Sequence, residues 1–182
     1  MNIISKLKTQ THNYFLQKEL NQAGISRKSI DFDSAKKIGI LFNATELSDR
    51  ETVLRFAKKL KNQGKKVKLL GFLNSQPKNE NFVFENFNKS DLDWAMRPKN
   101  ERVDEFTKQP FDILINLSNE SHPSLDYIAA FSHAKFRVGP FTEKIFCYEL
   151  MIEAKEKKDL PSFLNEVSFF LTKMKTTHEP AI

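Results

Sequence analysis

Apolar residues in this chain fall into two rhythms: short solid runs, and stretches spaced by three and four. Their alternation predicts strands interleaved with helices. Residues 37–42 form the first clear run, of the kind buried in a parallel sheet. A loop of Asn43, Ala44, Thr45 and Glu46 follows it. Ser48 with Glu51 three positions on reads as a capping box. The helix it opens carries the stripe Val53, Phe56, Ala57 and Leu60, and Gly64 ends it. Residues 67–73 are the next strand, so a complete βαβ unit with a right-handed crossover lies between residues 37 and 73. Upstream, residues 3–23 read as a helix on Ile4, Leu7, Thr11, Tyr14 and Lys18, with Gly24 as its stop and residues 25–35 as a linker.

The second half repeats the rhythm. Residues 82–84, continuing through Phe87, are a third strand, and residues 91–94 a turn that buries Trp94. Residues 100–108 are a short helix carrying Val103 and Phe106. Residues 111–117 are the strongest strand in the chain. Pro123 suits the first turn of the next helix, whose inner face is Leu125, Ile128 and Ala129. Residues 134–139 are a strand stopped by Gly139 and Pro140, and residues 147–152 a last one. Asp159 caps a final helix with the stripe Phe163, Val167, Phe170, Leu171 and Met174. This order predicts a single Rossmann-like α/β domain over residues 36–176: a mostly parallel sheet with helices on both faces, preceded by an N-terminal helix over residues 1–24.

Composition narrows the setting. The 182 residues are 40% hydrophobic and 29% charged, the balance of a folded domain. The 17 phenylalanines point to an aromatic-rich core. A single cysteine, Cys147, excludes an internal disulfide and a thiolate metal cluster, and its apolar neighbours make it an inert thiol. No apolar stretch approaches the roughly 20 residues of a membrane span, and the first residues lack the pattern of a secretion signal. The expected compartment is the cytoplasm. The net charge of +6 is compatible with an acidic macromolecular partner, a protein surface or RNA. Lys6, Lys8 and Lys18 on the N-terminal helix also raise peripheral membrane contact through residues 1–23, against the plainer reading that this helix packs on its own domain.

In open α/β sheets ligands bind beyond the carboxyl ends of the strands. That rule selects the loops after the first and fourth strands and makes Asn43, Thr45, Asn116, Ser118, Glu120 and His122 the candidate ligand-binding residues. The second loop also precedes a helix N-terminus, which favours anions. His122 and Asp126, four apart, fit one helix face, and with Glu120 nearby a carboxylate–histidine pair could do acid–base work there. No third ligand at metal-binding spacing accompanies them. His133 suits the end of that helix, and His12 and His178 read as surface residues. No Gly-x-Gly-x-x-Gly, phosphate loop or Gly-x-Ser-x-Gly elbow occurs, so no cofactor, catalytic residue or metal site is assigned.

Two resemblances follow from the runs at residues 111–118 and 134–139. They resemble the strand–helix–strand of the N-terminal Rossmann-like domain of heptosyltransferase-like glycosyltransferases, in which an Ala-Lys-x-Arg-Val-Gly strand follows. The whole chain also resembles a family of uncharacterised bacterial single-domain proteins sharing both runs. The glycosyltransferase likeness implies an acceptor-side half without its nucleotide-sugar half, and the early glycine-containing acceptor loop is replaced here by Asn43-Ala44-Thr45-Glu46-Leu47. The functional expectation is a non-catalytic cytosolic binding or adaptor domain. The alternative is a sugar- or nucleotide-acting enzyme with its site at the carboxyl edge of the sheet.

Overall fold

The computed structural model describes residues 27, 28, 30–74, 81–144, 146–153 and 159–174. Six strands form one sheet: β1 (Lys37–Asn43), β2 (Lys66–Leu73), β3 (Glu85–Asn88), β4 (Ile113–Leu117), β5 (Phe136–Pro140) and β6 (Leu150–Ile152). Every pairing is parallel, in the order β3-β2-β1-β4-β5-β6. The connecting helices are α1 (Leu47–Asn62), α2 (Glu101–Thr107), α3 (Pro123–Phe131) and α4 (Leu160–Lys173). The expected single Rossmann-like domain is therefore present. The expected N-terminal helix lies outside the described residues, as do His12 and His178.

Strand alternation divides the core in two. Ile38, Ile40, Phe42, Ile113, Ile115 and Leu117 face α1 and α4, which contribute Val53, Phe56, Leu60, Phe163, Val167 and Leu171. Leu41, Leu70, Phe72 and Leu114 face the other way, onto Val103 and Phe106 of α2 and Leu125, Ile128 and Ala129 of α3. Both faces are thus covered, which is why β1 and β4 read as unbroken apolar runs. Each fully buried large side chain contributes about 1.5–3 kcal/mol.

Several local expectations are corrected. α1 begins at Leu47 with Glu46 as an N-cap that makes no side-chain bond, so Ser48 caps nothing. The Arg50 guanidinium instead reaches back to the Ala44 and Thr45 carbonyls at 2.6 and 3.0 Å. The third strand slides to Glu85–Asn88. Phe84, expected within it, packs edge-on against Phe42 with Phe82 beside it. Trp94 is 62% exposed, and the turn buries Ala95 in its place. The turn is held by Asp93, which accepts from the Ala95 and Arg97 amides and the Arg97 side chain. β5 runs through Pro140 rather than stopping before it. β6 begins at Leu150, leaving Cys147 and Tyr148 in the connection before it. Phe170 turns outward from α4, while Phe163, Val167 and Leu171 keep the expected inner stripe.

The described part of the supposed linker is bound to the domain. The Arg27 guanidinium donates to the carbonyls of Ala130, Ser132 and Ala134 at the end of α3, where a cation also favours the helix dipole. Burial, and then the neighbouring Arg137, lower its pKa to about 10. The buried ammonium of Lys65 donates to the Phe32 and Ala35 carbonyls at 2.6 and 2.9 Å, with the Phe32 ring 4.5 Å away. Replacing Lys65 by Met leaves these carbonyls without their donor, and a destabilisation of about 1–3 kcal/mol is expected. Urea unfolding of wild type and Lys65→Met measures it.

Candidate functional site

The chain leaves β1 toward β2 and β3, then returns to β4 on the opposite side of β1. The loops beyond β1 and β4 therefore diverge, which is where open sheets of this kind form their ligand crevice. The sequence-nominated residues divide there into two sets. On the β1 side, Asn43 Oδ1 accepts from the Thr45 amide at 3.0 Å, an Asx turn. Thr45 Oγ1 accepts from the Asn74 amide at 3.2 Å. The first bond shapes the loop after β1, and the second fastens that loop to the end of β2.

The β4 side holds a buried polar chain. Asn116 is wholly buried in the strand, and its Nδ2 donates to the Tyr148 hydroxyl at 2.7 Å. That hydroxyl donates to Asp126 Oδ1 at 2.8 Å. Asp126, wholly buried in the first turn of α3, receives the Ser121 hydroxyl on Oδ2 at 2.5 Å and the Lys144 ammonium at 3.3 Å. Among the described residues, Asn116 Oδ1 and Ser118 Oγ are buried without a hydrogen-bond partner. Such orphans are costly in a finished interior.

Electrostatics keep the buried phenol and thiol protonated. Burial, and then the Asp126 charge, hold the Tyr148 hydroxyl well above its ordinary range. The same two causes push the Cys147 thiol up to about 12. Tyr148 packs against Gly139 of β5, where an added Cβ would strike its ring. Only glycine permits that approach.

His122 is the N-cap of α3 rather than a member of the helix, and makes no capping bond. Its ring lies 4.5 Å from that of Phe72, and Nδ1 is 3.3 Å from the Ser124 hydroxyl. Asp126 turns to Tyr148, Ser121 and Lys144, and it acts on His122 by its charge rather than by a hydrogen bond. Glu120 is exposed. Burial lowers the His122 pKa, with Lys89 and Lys144 adding to the effect and Asp126 opposing it. Two cations thus border this edge.

Sequence reasoning named Asn116, Ser118 and His122 but missed Tyr148, Lys144 and Lys89. The signal available was weak: a tyrosine in an apolar run needs a hydroxyl partner when buried, but nothing in the spacing says which. Among the described residues no three His, Cys, Asp or Glu side chains gather to hold a metal ion.

A family model described as a family of unknown function (DUF6913) matches residues 8–174. This agrees with the expected uncharacterised family. No curated protein matches the chain.

Two outcomes test the network. Tyr148→Phe strips Asn116 Nδ2 and Asp126 Oδ1 of their shared partner, and a loss of about 2–3 kcal/mol by urea unfolding is expected. For His122, the unfolded chain takes up a proton near the ordinary value of 6.5 while the folded chain resists it. The stability this carries is full above 6.5 and is lost as the pH falls toward the lower folded value. His122→Gln should therefore flatten the decline in Tm between about pH 7 and about pH 5 relative to wild type.

Proposed function

We propose that this chain, which belongs to that family of unknown function, is a non-catalytic binding domain that engages an acidic macromolecular partner at the carboxyl edge of its sheet. The observation that carries this reading is the state of the groups at that edge. Asp126 is wholly buried and spends its oxygens on Tyr148, Ser121 and Lys144. Tyr148 and Cys147 are held protonated, and His122 is held toward its neutral form. Such a set organises a surface, and the hydroxyl that His122 meets, that of Ser124, is wholly buried and out of a substrate's reach.

The border of the site suits contact. Lys89 and Lys144 supply positive charge beside His122. Leu47, Trp94 and Phe141 are exposed in the segments after β1, β3 and β5, all at this edge. Exposed apolar side chains among cations are the composition of a contact surface for an acidic partner. The net charge of +6 adds long-range attraction. The reading assigns the protein to the cytoplasm, where a single thiol stays reduced. Among the described residues no helix is long and apolar enough to cross a membrane; in residues 1–23 lysines interrupt the apolar positions of the sequence, and any contact with lipid there would be peripheral.

A second reading rests on a different observation. A polar pocket of about 400 Å³ lies beyond β3, lined by Asn86, Asn88, Ser90, Asn100, Glu101 and Arg102 among others. It favours a small hydroxylated ligand, and with it a sugar- or nucleotide-acting enzyme akin to one half of the bacterial heptosyltransferase-like enzymes. Isolation of the native protein from cells at low salt separates the two. A stoichiometric macromolecule removed by high salt is the expected result. A bare protein carrying a sugar or nucleotide would transfer the assignment to the second reading.

A further inference from the structure

We propose that a cavity at the amino edge of the sheet, between the starts of β1 and β2 and the turn before β4, binds a small aromatic acid, a single ring carrying a carboxylate. The inference stands apart from the binding reading, which concerns the opposite edge.

The register of the first two strands builds the site. Lys37 pairs with Lys66, and Gly39 with Lys68. Register partners on neighbouring strands share a face of the sheet, and so do residues two apart along one strand. Positions 37, 39, 66 and 68 therefore form a square on one face, with lysine at three corners. The fourth corner has no side chain, and the Phe111 ring takes the space: a Cβ on Gly39 would lie 2.7 Å from Phe111 Cδ2 and Cε2. An aromatic ring is thus set among lysine stems. β3 joins β2 only from Leu70 onward, so among the described residues no strand flanks Lys66 and Lys68 on the outer side. The result is a cavity of about 200 Å³, lined by Lys37, Lys66, Lys68, Pro110 and Phe111 among others.

Charge supplies the second argument. Like charges directly opposed on neighbouring strands destabilise each other, and Lys37 and Lys66 stand so, both exposed. The carboxylates nearby are committed elsewhere. Glu85 lies 3.1 Å from the Lys68 ammonium. Asp112 accepts from the Lys36 and Lys37 amides and from the Lys135 ammonium. Among the described residues Lys37 and Lys66 have no carboxylate partner. They differ in this from Arg27 and Lys65, which spend their donors on carbonyls at the same edge. An anion between Lys37 and Lys66 relieves their opposition.

Size and lining supply the third. Pockets for drug-sized ligands hold about 300–1,000 Å³, whereas an apolar cavity of about 150 Å³ admits benzene. The space here suits one ring. That ring would rest on Phe111, Pro110 and the lysine methylenes, with its carboxylate at the two free ammonium groups. A bare inorganic anion leaves the apolar lining unused, and an uncharged ring leaves the cations opposed.

The test is an amide NMR titration of the full chain with benzoate, at matched ionic strength. Acetate carries the charge alone, and benzyl alcohol the ring alone. Saturable shifts of the Val67, Lys68, Gln109 and Phe111 amides are expected with benzoate, at concentrations where the other two leave them unmoved. Lys37→Gln and Lys66→Gln should each weaken benzoate about two- to fivefold. Their Tm should stay at or above that of wild type, because each removes one of two opposed charges. Absence of a saturable response to benzoate would overturn the proposal. So would an equal response to acetate, an equal response to benzyl alcohol, or wild-type affinity in both lysine variants. The carboxyl-edge reading stands or falls separately, by the isolation experiment.

Discussion

A polar side chain in the middle of a sheet covered on both faces has no water to turn to. Asn116 is in that position, on the central strand β4, wholly buried between α3 and its neighbours. An unmet amide there costs on the order of 1–3 kcal/mol, so a partner must be built into the fold. Tyr148 is that partner, and the surrounding architecture follows from seating it. Gly139 clears space for the ring, Asp126 accepts the hydroxyl's hydrogen bond, and Ser121 and Lys144 answer the buried carboxylate. The connection before β6 is thereby tied to the first turn of α3.

That bond chain also determines what the carboxyl edge can do. A carboxylate surrounded by donors is rigid and oriented, but it has little capacity left for proton transfer. The neighbouring thiol and phenol stay protonated because the same carboxylate and the same burial oppose their charge. The network therefore positions the helix N-terminus and its flanking cations rather than performing chemistry itself. Preorganisation of this kind lowers the ordering cost of binding.

The opposite edge uses buried cations for a structural purpose. Arg27 and Lys65 spend their donors on backbone carbonyls of α3's end and of the turn before β1. Asp112 completes the arrangement by accepting from the Lys36 and Lys37 amides and from the Lys135 ammonium. Basic residues in this chain thus serve two ends of the sheet differently. Saturated ones hold the amino edge, whereas Lys89 and Lys144 border the open one.

Much of this protein was legible along the chain. The runs at residues 37–42, 67–73 and 111–117 declared buried parallel strands, because burial on both faces leaves no room for alternation. Pro123, Asp159 and Gly64 marked helix ends through φ restriction, capping and positive φ, all local properties. The loops after β1 and β4 were selected by topology alone, and Asn116, Ser118 and His122 with them. What failed locally did so where distant parts compete: Phe84 left the strand for Phe42, and Trp94 yielded its buried place to Ala95. The hub of the site was decided only in three dimensions. Asn116, Asp126 and the pair Lys144 and Tyr148 come from three separate segments, and a hydrogen bond requires approach to about 3 Å, which no spacing along the chain records. Local physics chose the elements; their packing chose which polar groups meet.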